Sequence, residues 1–130
     1  MIGQTNMNGS DPGPVLVVED DNLVRRLLKR TLERNGYQAV VVDCAAKARE
    51  AWAARDGNFS LVISDVVMPG ENGLLLCKAL REDQPELPIL IITGFAPAEI
   101  VGDDGTIDYP VLPKPFTTAQ LVGTIRDLLG

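Results

Sequence analysis

The sequence predicts an α/β fold: a doubly wound, five-stranded parallel sheet with helices on both faces. Three observations predict it. The apolar runs Val15–Val18, Ala39–Val42, Leu61–Ile63, Ile89–Ile92 and Val111–Leu112 are continuous rather than alternating, as strands buried on both faces require. Segments with helical character separate them, giving the repeated βα unit whose right-handed crossovers wind a sheet from both sides. Polar residues follow the runs directly, at the carboxyl ends where open α/β sheets place their ligands.

Taken in order, residues 1–14 are rich in Gly, Asn, Ser and Pro and hold two methionines, so they read as a disordered linker or cloning remnant. The domain then runs from 15 to 130. Val15–Val18 is the first strand and ends in Glu19, Asp20 and Asp21, of which Asp21 is placed to cap the next helix. From Asn22, the positions Leu23, Val24, Leu27, Leu28 and Leu32 share one helical face, and Arg25, Arg26, Lys29, Arg30 and Arg34 lie mostly on the other, solvated one. Gly36 closes that helix. Ala39–Val42 is the second strand, and Ala45–Ala54 is an alanine-rich helix that turns Ala48, Ala51 and Trp52 to the sheet.

The third strand runs into Asp65 and breaks at Met68-Pro69-Gly70. Asn72 caps a helix whose inner side carries Leu76, Cys77 and Leu80. Pro88 opens the fourth strand, which ends at Thr93-Gly94. Between Phe95 and Asp108, Pro97, Gly102 and Gly105 interrupt any long helix, so a short helix and a mobile loop are expected. Val111-Leu112 runs into Pro113-Lys114-Pro115-Phe116. Thr117 and Gln120 then have capping-box spacing before the stripe Leu121, Val122, Ile125, Leu128 and Leu129. Five strands thus alternate with about five helices, without an internal repeat.

Composition bounds the function. A chain of 130 residues fits one domain with its own core. Twelve basic against eighteen acidic residues give a net charge of −6, which argues against direct nucleic-acid binding. Cys44 and Cys77 lack metal-motif spacing and read as reduced thiols that, like Trp52, belong to the core. No apolar run approaches the roughly 20 residues of a membrane span. A cytoplasmic domain without membrane contact is expected.

If the sheet order is 2-1-3-4-5, as in one of the two common doubly wound arrangements, the groups at the ends of strands one, three, four and five converge: Glu19, Asp20, Asp65, Thr93 and Lys114. Taken singly, each has a bland reading, as a helix cap, a polar strand stop or a solvated loop side chain. Together they require independent accidents at four strand ends. Several carboxylates in one crevice oppose each other's ionisation unless a cation is present, and Mg²⁺ suits oxygen ligands combined with a phosphate. A carboxylate beside such an ion can attack phosphorus and form an acyl phosphate, with the Lys114 ammonium and the Thr93 hydroxyl meeting the phosphoryl oxygens.

The motifs VLVVEDD, ISDVVMPGENG, IITG and PVLPKPF, in this order from Val15 onward, resemble the response-regulator receiver domain of two-component signalling, a CheY-like, flavodoxin-like fold. The resemblance implies Asp65 as phosphoacceptor, with Asp20 and Asp65 on Mg²⁺. It also implies Glu19 on the ion directly or through water, the Val67 carbonyl as a further ligand, and Thr93 and Lys114 on the phosphoryl group. A cis Lys114–Pro115 bond is implied as well. The implied partner is a histidine kinase or histidine phosphotransfer protein, and the domain is expected as a monomer or weak dimer. It would be a stand-alone regulator or the C-terminal receiver of a hybrid sensor kinase.

Two departures from the family pattern stand out. Val111 occupies the place of a switching aromatic, with Tyr109 two residues earlier. Val67 and Phe95 replace polar side chains that orient a hydrolytic water, so slow loss of the phosphoryl group is expected. Among other functions, a haloacid dehalogenase-type hydrolase would need an acid at Val67, and a nucleotide or flavin module would need a phosphate-binding loop where Glu19-Asp20-Asp21 stand. A pseudo-receiver that serves protein contacts without phosphorylation is the stronger rival.

Overall fold

The computed structural model describes residues 13–68, 70–94 and 109–130. Five parallel strands, β1 (Val15–Val18), β2 (Ala39–Val42), β3 (Leu61–Asp65), β4 (Ile89–Thr93) and β5 (Val111–Pro113), pair in the order β2-β1-β3-β4-β5. The described helices are α1 (Asn22–Arg34), α2 (Ala45–Ala54), α3 (Gly73–Asp83) and α4 (Thr118–Leu129). The short helix expected between Phe95 and Asp108 lies outside the described residues.

The continuous apolar runs of β1, β3 and β4 are buried throughout, as the sequence suggests, whereas the edge strand β2 is half-buried along its length and β5 buries only Leu112. Along β1, Leu16 and Val18 enter one core cluster and Val15 and Val17 the other, and all four are fully buried. Leu28 and Leu32 of α1 pack with Leu121 and Ile125 of α4 on one face. Ala48 and Trp52 of α2 pack with Leu76, Cys77 and Leu80 of α3 on the other. The described helices thus cover both faces, the doubly wound arrangement, which confines polar groups to the ends of the strands.

Local signals set the helix ends. The Asp21 carboxylate accepts from the Leu23 and Val24 amides at the start of α1. Asn35 is the last cap residue, and Gly36 follows it with φ +87°. The Gly36 amide donates to the Glu33 carbonyl and the Tyr37 amide to the Leu32 carbonyl, which is the Schellman pattern. At α4 both halves of the Thr117–Gln120 capping box form.

The structure differs from the expectations at several points. Leu23 is 74% exposed and Leu27 is also exposed, so the buried stripe of α1 is narrower than its apolar periodicity. β4 and β5 each extend one residue further, to Thr93 and Pro113. Cys44 is the N-cap of α2, half-buried and free, rather than a core residue. Gly13 and Pro14, which composition assigns to the leading segment, already pack on the domain: Pro14 is buried and its carbonyl accepts the Ser60 amide at 3.0 Å.

Candidate functional site

β1 and β3 are neighbours in the sheet, with Val18 opposite Ser64, so Glu19 and Asp65 emerge side by side where the strands end. One carboxylate oxygen from each of Glu19, Asp20 and Asp65 lies within 4.8 Å of the others. Glu19 is fully buried, Asp65 nearly so, and Asp20 is exposed.

Lys114 completes the cluster from β5, one residue beyond Pro113. Its Nζ stands 2.8 Å from Glu19 Oε1 and 2.9 Å from Asp65 Oδ2. The backbone aims it there: the Lys114 amide donates to the Thr93 carbonyl at 2.8 Å, and the Lys114–Pro115 bond is cis. Thr93 is fully buried at the end of β4, one residue past the Ile92 that pairs with Asp65. It is therefore level with the cluster. Val67 lies two residues past Asp65 with its side chain 52% exposed.

Each oxygen of the two buried acids has a distinct environment. Asp65 Oδ1 accepts the Val66 amide at 2.7 Å while Oδ2 accepts from Lys114. Glu19 Oε2 accepts the Asp21 amide at 2.8 Å. Among the described residues, the buried Glu19 Oε1 has no aligned hydrogen-bond donor, and the Lys114 ammonium meets it as an ion pair. Burial pushes the Glu19 carboxyl above its ordinary value, against the pull of Lys114 and the Asp21 amide, and the Asp65 charge adds to the rise. Burial alone would lower the Lys114 ammonium, but its contacts with Glu19 and then Asp65 outweigh burial and raise it.

A buried carboxylate oxygen without an aligned donor, together with two more carboxylates in reach, fits a hard cation that takes oxygen ligands. Glu19, Asp20 and Asp65 are the side chains that could hold it.

Some supporting residues escaped the sequence reading. The buried Ser64 hydroxyl donates to the Asp65 carbonyl at 2.8 Å. The Gly73 amide donates to the Val66 carbonyl at 2.7 Å, and a Cβ on Gly73 would stand 1.9 Å from the Asp65 carbonyl oxygen. Glycine is required here by close approach, and the signal was a second glycine directly after the Asn72 cap. Arg49 of α2 forks onto Glu71 and ties down the loop after β3. Of the two departures, Val111 is half-buried against the core and Tyr109 lies 5.1 Å beneath the Arg81 guanidinium, while Phe95 is outside the described residues.

The profile of the response regulator receiver domain matches residues 15–126. The chain belongs to this family. The response regulator receiver protein CpdR of Brucella abortus is 40% identical over 116 residues, covering 88% of this chain and 95% of that protein. The DNA-binding transcriptional regulator NtrC of Rhizobium meliloti is 38% identical over 119 residues, but this chain spans only 24% of its length. The crystal structure of a response regulator receiver protein from Sinorhizobium medicae superposes with a TM-score of 0.80 at 28% identity, covering 92% of this chain and 95% of that one. The CheY-like fold is thus shared with solved receivers. Among the described residues, no helix of this receiver domain is long and apolar enough to cross a membrane.

Two predictions test this geometry. Gly73→Ala forces backbone against backbone at Asp65 and should destabilise the fold by about 2–3 kcal/mol in a denaturant titration. The second concerns pH. The Glu19 carboxyl titrates above its ordinary 4.5 in the folded chain, so its protonated form is favoured by folding. Without Mg²⁺, the stability of the wild type relative to Glu19→Gln should therefore be highest below pH 4.5 and fall as pH rises through the raised value. Thermal melts of both proteins across that range measure the difference, and parallel curves would contradict it.

Proposed function

We propose that this receiver domain accepts a phosphoryl group on Asp65 from a phosphohistidine of a histidine kinase or histidine phosphotransfer protein. The observation that carries the reading is the cluster itself: three carboxylates from two strand ends with the Lys114 ammonium between Glu19 and Asp65. Membership in a family whose members work as phosphoacceptors in two-component signalling supports it.

An Asp65 carboxylate oxygen attacks phosphorus, the phosphorus–nitrogen bond of the donor breaks, and its electron pair stays on the imidazole nitrogen. The product is a mixed anhydride of Asp65. Lys114 is within one side-chain adjustment of the new phosphoryl oxygens and moves its charge with them, while Thr93 offers a hydroxyl from the end of β4. Mg²⁺ held by Glu19, Asp20 and Asp65, with the Val67 carbonyl as a further ligand, would supply positive charge opposite the transferring oxygens. The donor's imidazole would approach beside an apolar recess of about 380 Å³ lined by Val24, Leu27, Lys114, Pro115 and Phe116.

Later hydrolysis needs a water aligned behind phosphorus. The exposed Val67 side chain cannot hydrogen-bond one, and neither can Phe95, so the phosphorylated state is long-lived in this reading.

Incubation with Mg²⁺ and a small acyl phosphate should add the mass of one phosphoryl group, lost in Asp65→Asn and on chelation. A chain that folds and binds Mg²⁺ but never gains mass would instead be a pseudo-receiver for protein contacts. Val67→Asn combined with Phe95→Glu should speed dephosphorylation by about tenfold or more, followed as loss of the phosphorylated mass after donor removal. An unchanged decay would reject the account of lifetime while leaving phosphorylation intact.

A further inference from the structure

The turn between β1 and α1 carries a cation that none of these roles uses. Arg25, in the first turns of α1 and half-buried, folds its guanidinium back over the preceding loop. Its Nη1 donates to the Glu19 carbonyl at 2.9 Å and, at 3.4 Å, to the Asp20 carbonyl. Its Nη2 donates to Asn22 Oδ1 at 2.8 Å. One side chain thus grips consecutive carbonyls of the two residues whose carboxylates enter the acid cluster. Both lie beyond the β1–β3 ladder, which ends at Val18 and Ser64.

We propose that Arg25 is a positioning residue for the cation site. By fixing the peptide planes from which Glu19 and Asp20 project, it sets the separation of their carboxylates. The rest of the turn supports the same outcome: the Asp21 amide takes Glu19 Oε2, leaving Oε1 to face Asp65 and Lys114, and the Asp21 carboxylate is committed to capping α1. The planar fork of a guanidinium can hold two carbonyls and a side-chain amide at once, a geometry that the tetrahedral ammonium of lysine does not reproduce. The inference rests on the reading that these acids bind Mg²⁺.

Charge and geometry predict opposite signs here. If Arg25 acted only through its positive charge, removing it would relieve repulsion and tighten the binding of a dication. If it positions ligands, removal weakens binding, as loss of a side chain that orients metal ligands does elsewhere. The test is calorimetric titration of Mg²⁺ into the full chain for the wild type, Arg25→Met, Arg25→Lys and the exposed control Arg26→Met. Arg25→Met should bind about tenfold more weakly, and Arg25→Lys should also weaken although its charge is kept. Arg26→Met should bind as the wild type does, or slightly tighter. If Arg25→Met does not fold, Arg25→Lys decides, and wild-type affinity in that variant overturns the proposal. Equal or tighter binding in both Arg25 variants overturns it as well. A wild-type chain that takes up no Mg²⁺ instead defeats the functional reading beneath it.

Discussion

Repulsion among converging carboxylates is the constraint around which this end of the molecule is arranged. Oxygens of Glu19 and Asp65 lie within 4.8 Å of each other, which at an effective dielectric of about 20 corresponds to a Coulomb repulsion on the order of 3.5 kcal/mol. Lys114 answers one of the three negative charges in the cluster. Asp20 reduces its share by staying in solvent, and Glu19 by its raised affinity for a proton. The same crowding makes the cleft receptive to a small dication, since a divalent charge removes the deficit that a single ammonium leaves.

The sheet determines which groups can meet in this way. Strands buried on both faces admit polarity only where they end, and the order β2-β1-β3-β4-β5 places the ends of β1 and β3 together although α1, β2 and α2 separate them in sequence. Lys114 comes from farther away. β5 lies two strands from β3, about 10 Å at ordinary strand spacing. The lysine covers this distance because its own amide is anchored on the Thr93 carbonyl of the intervening strand and its chain then runs over the top of β4. Thr93 therefore has a structural part in aiming Lys114 whatever its hydroxyl does.

The sequence disclosed the features that follow from local pattern and concealed those that depend on approach. Strand positions and the Asp21, Asn72 and Thr117 caps were legible because apolar runs, capping residues and turn residues leave short-range marks, whereas the strand order had to be supposed from the arrangements that doubly wound sheets adopt. The acids and Lys114 were legible because they stand directly after those runs. Leu23 and Leu27 were misjudged because periodicity gives the direction of a helical face but not the width that a four-residue strand and its neighbour can cover. Gly73 and Ser64 were illegible as supports of Asp65, since their meaning lies in a backbone oxygen reached only after the chain has turned. Arg25 was read as part of a solvated basic face, and its fold back onto the Glu19 and Asp20 carbonyls has no signature in spacing.

Asp65 is held at both oxygens, and this bears on how a phosphorylated form would differ from the present one. Oδ1 is bound by the amide of the next residue, a contact fixed by the backbone, whereas Oδ2 is bound by the ammonium of a long side chain with several rotatable bonds. Under the proposed reaction, phosphorylation removes the carboxylate charge and places new negative charge on the oxygens beyond phosphorus. Lys114 must then shift outward, and it is the contact free to do so. Its release from Glu19 would uncover Glu19 Oε1, a buried oxygen without an aligned donor among the described residues. Since the Lys114 amide is bonded to the Thr93 carbonyl, movement of the side chain would be felt first at the junction of β4 and β5. In this chain Val111 and Tyr109 occupy that junction, the one packed into the core and the other beneath Arg81 of α3. Under the proposed reaction, a signal from Asp65 would reach that junction through a lysine and a backbone hydrogen bond, without needing an aromatic side chain at Val111 to turn inward.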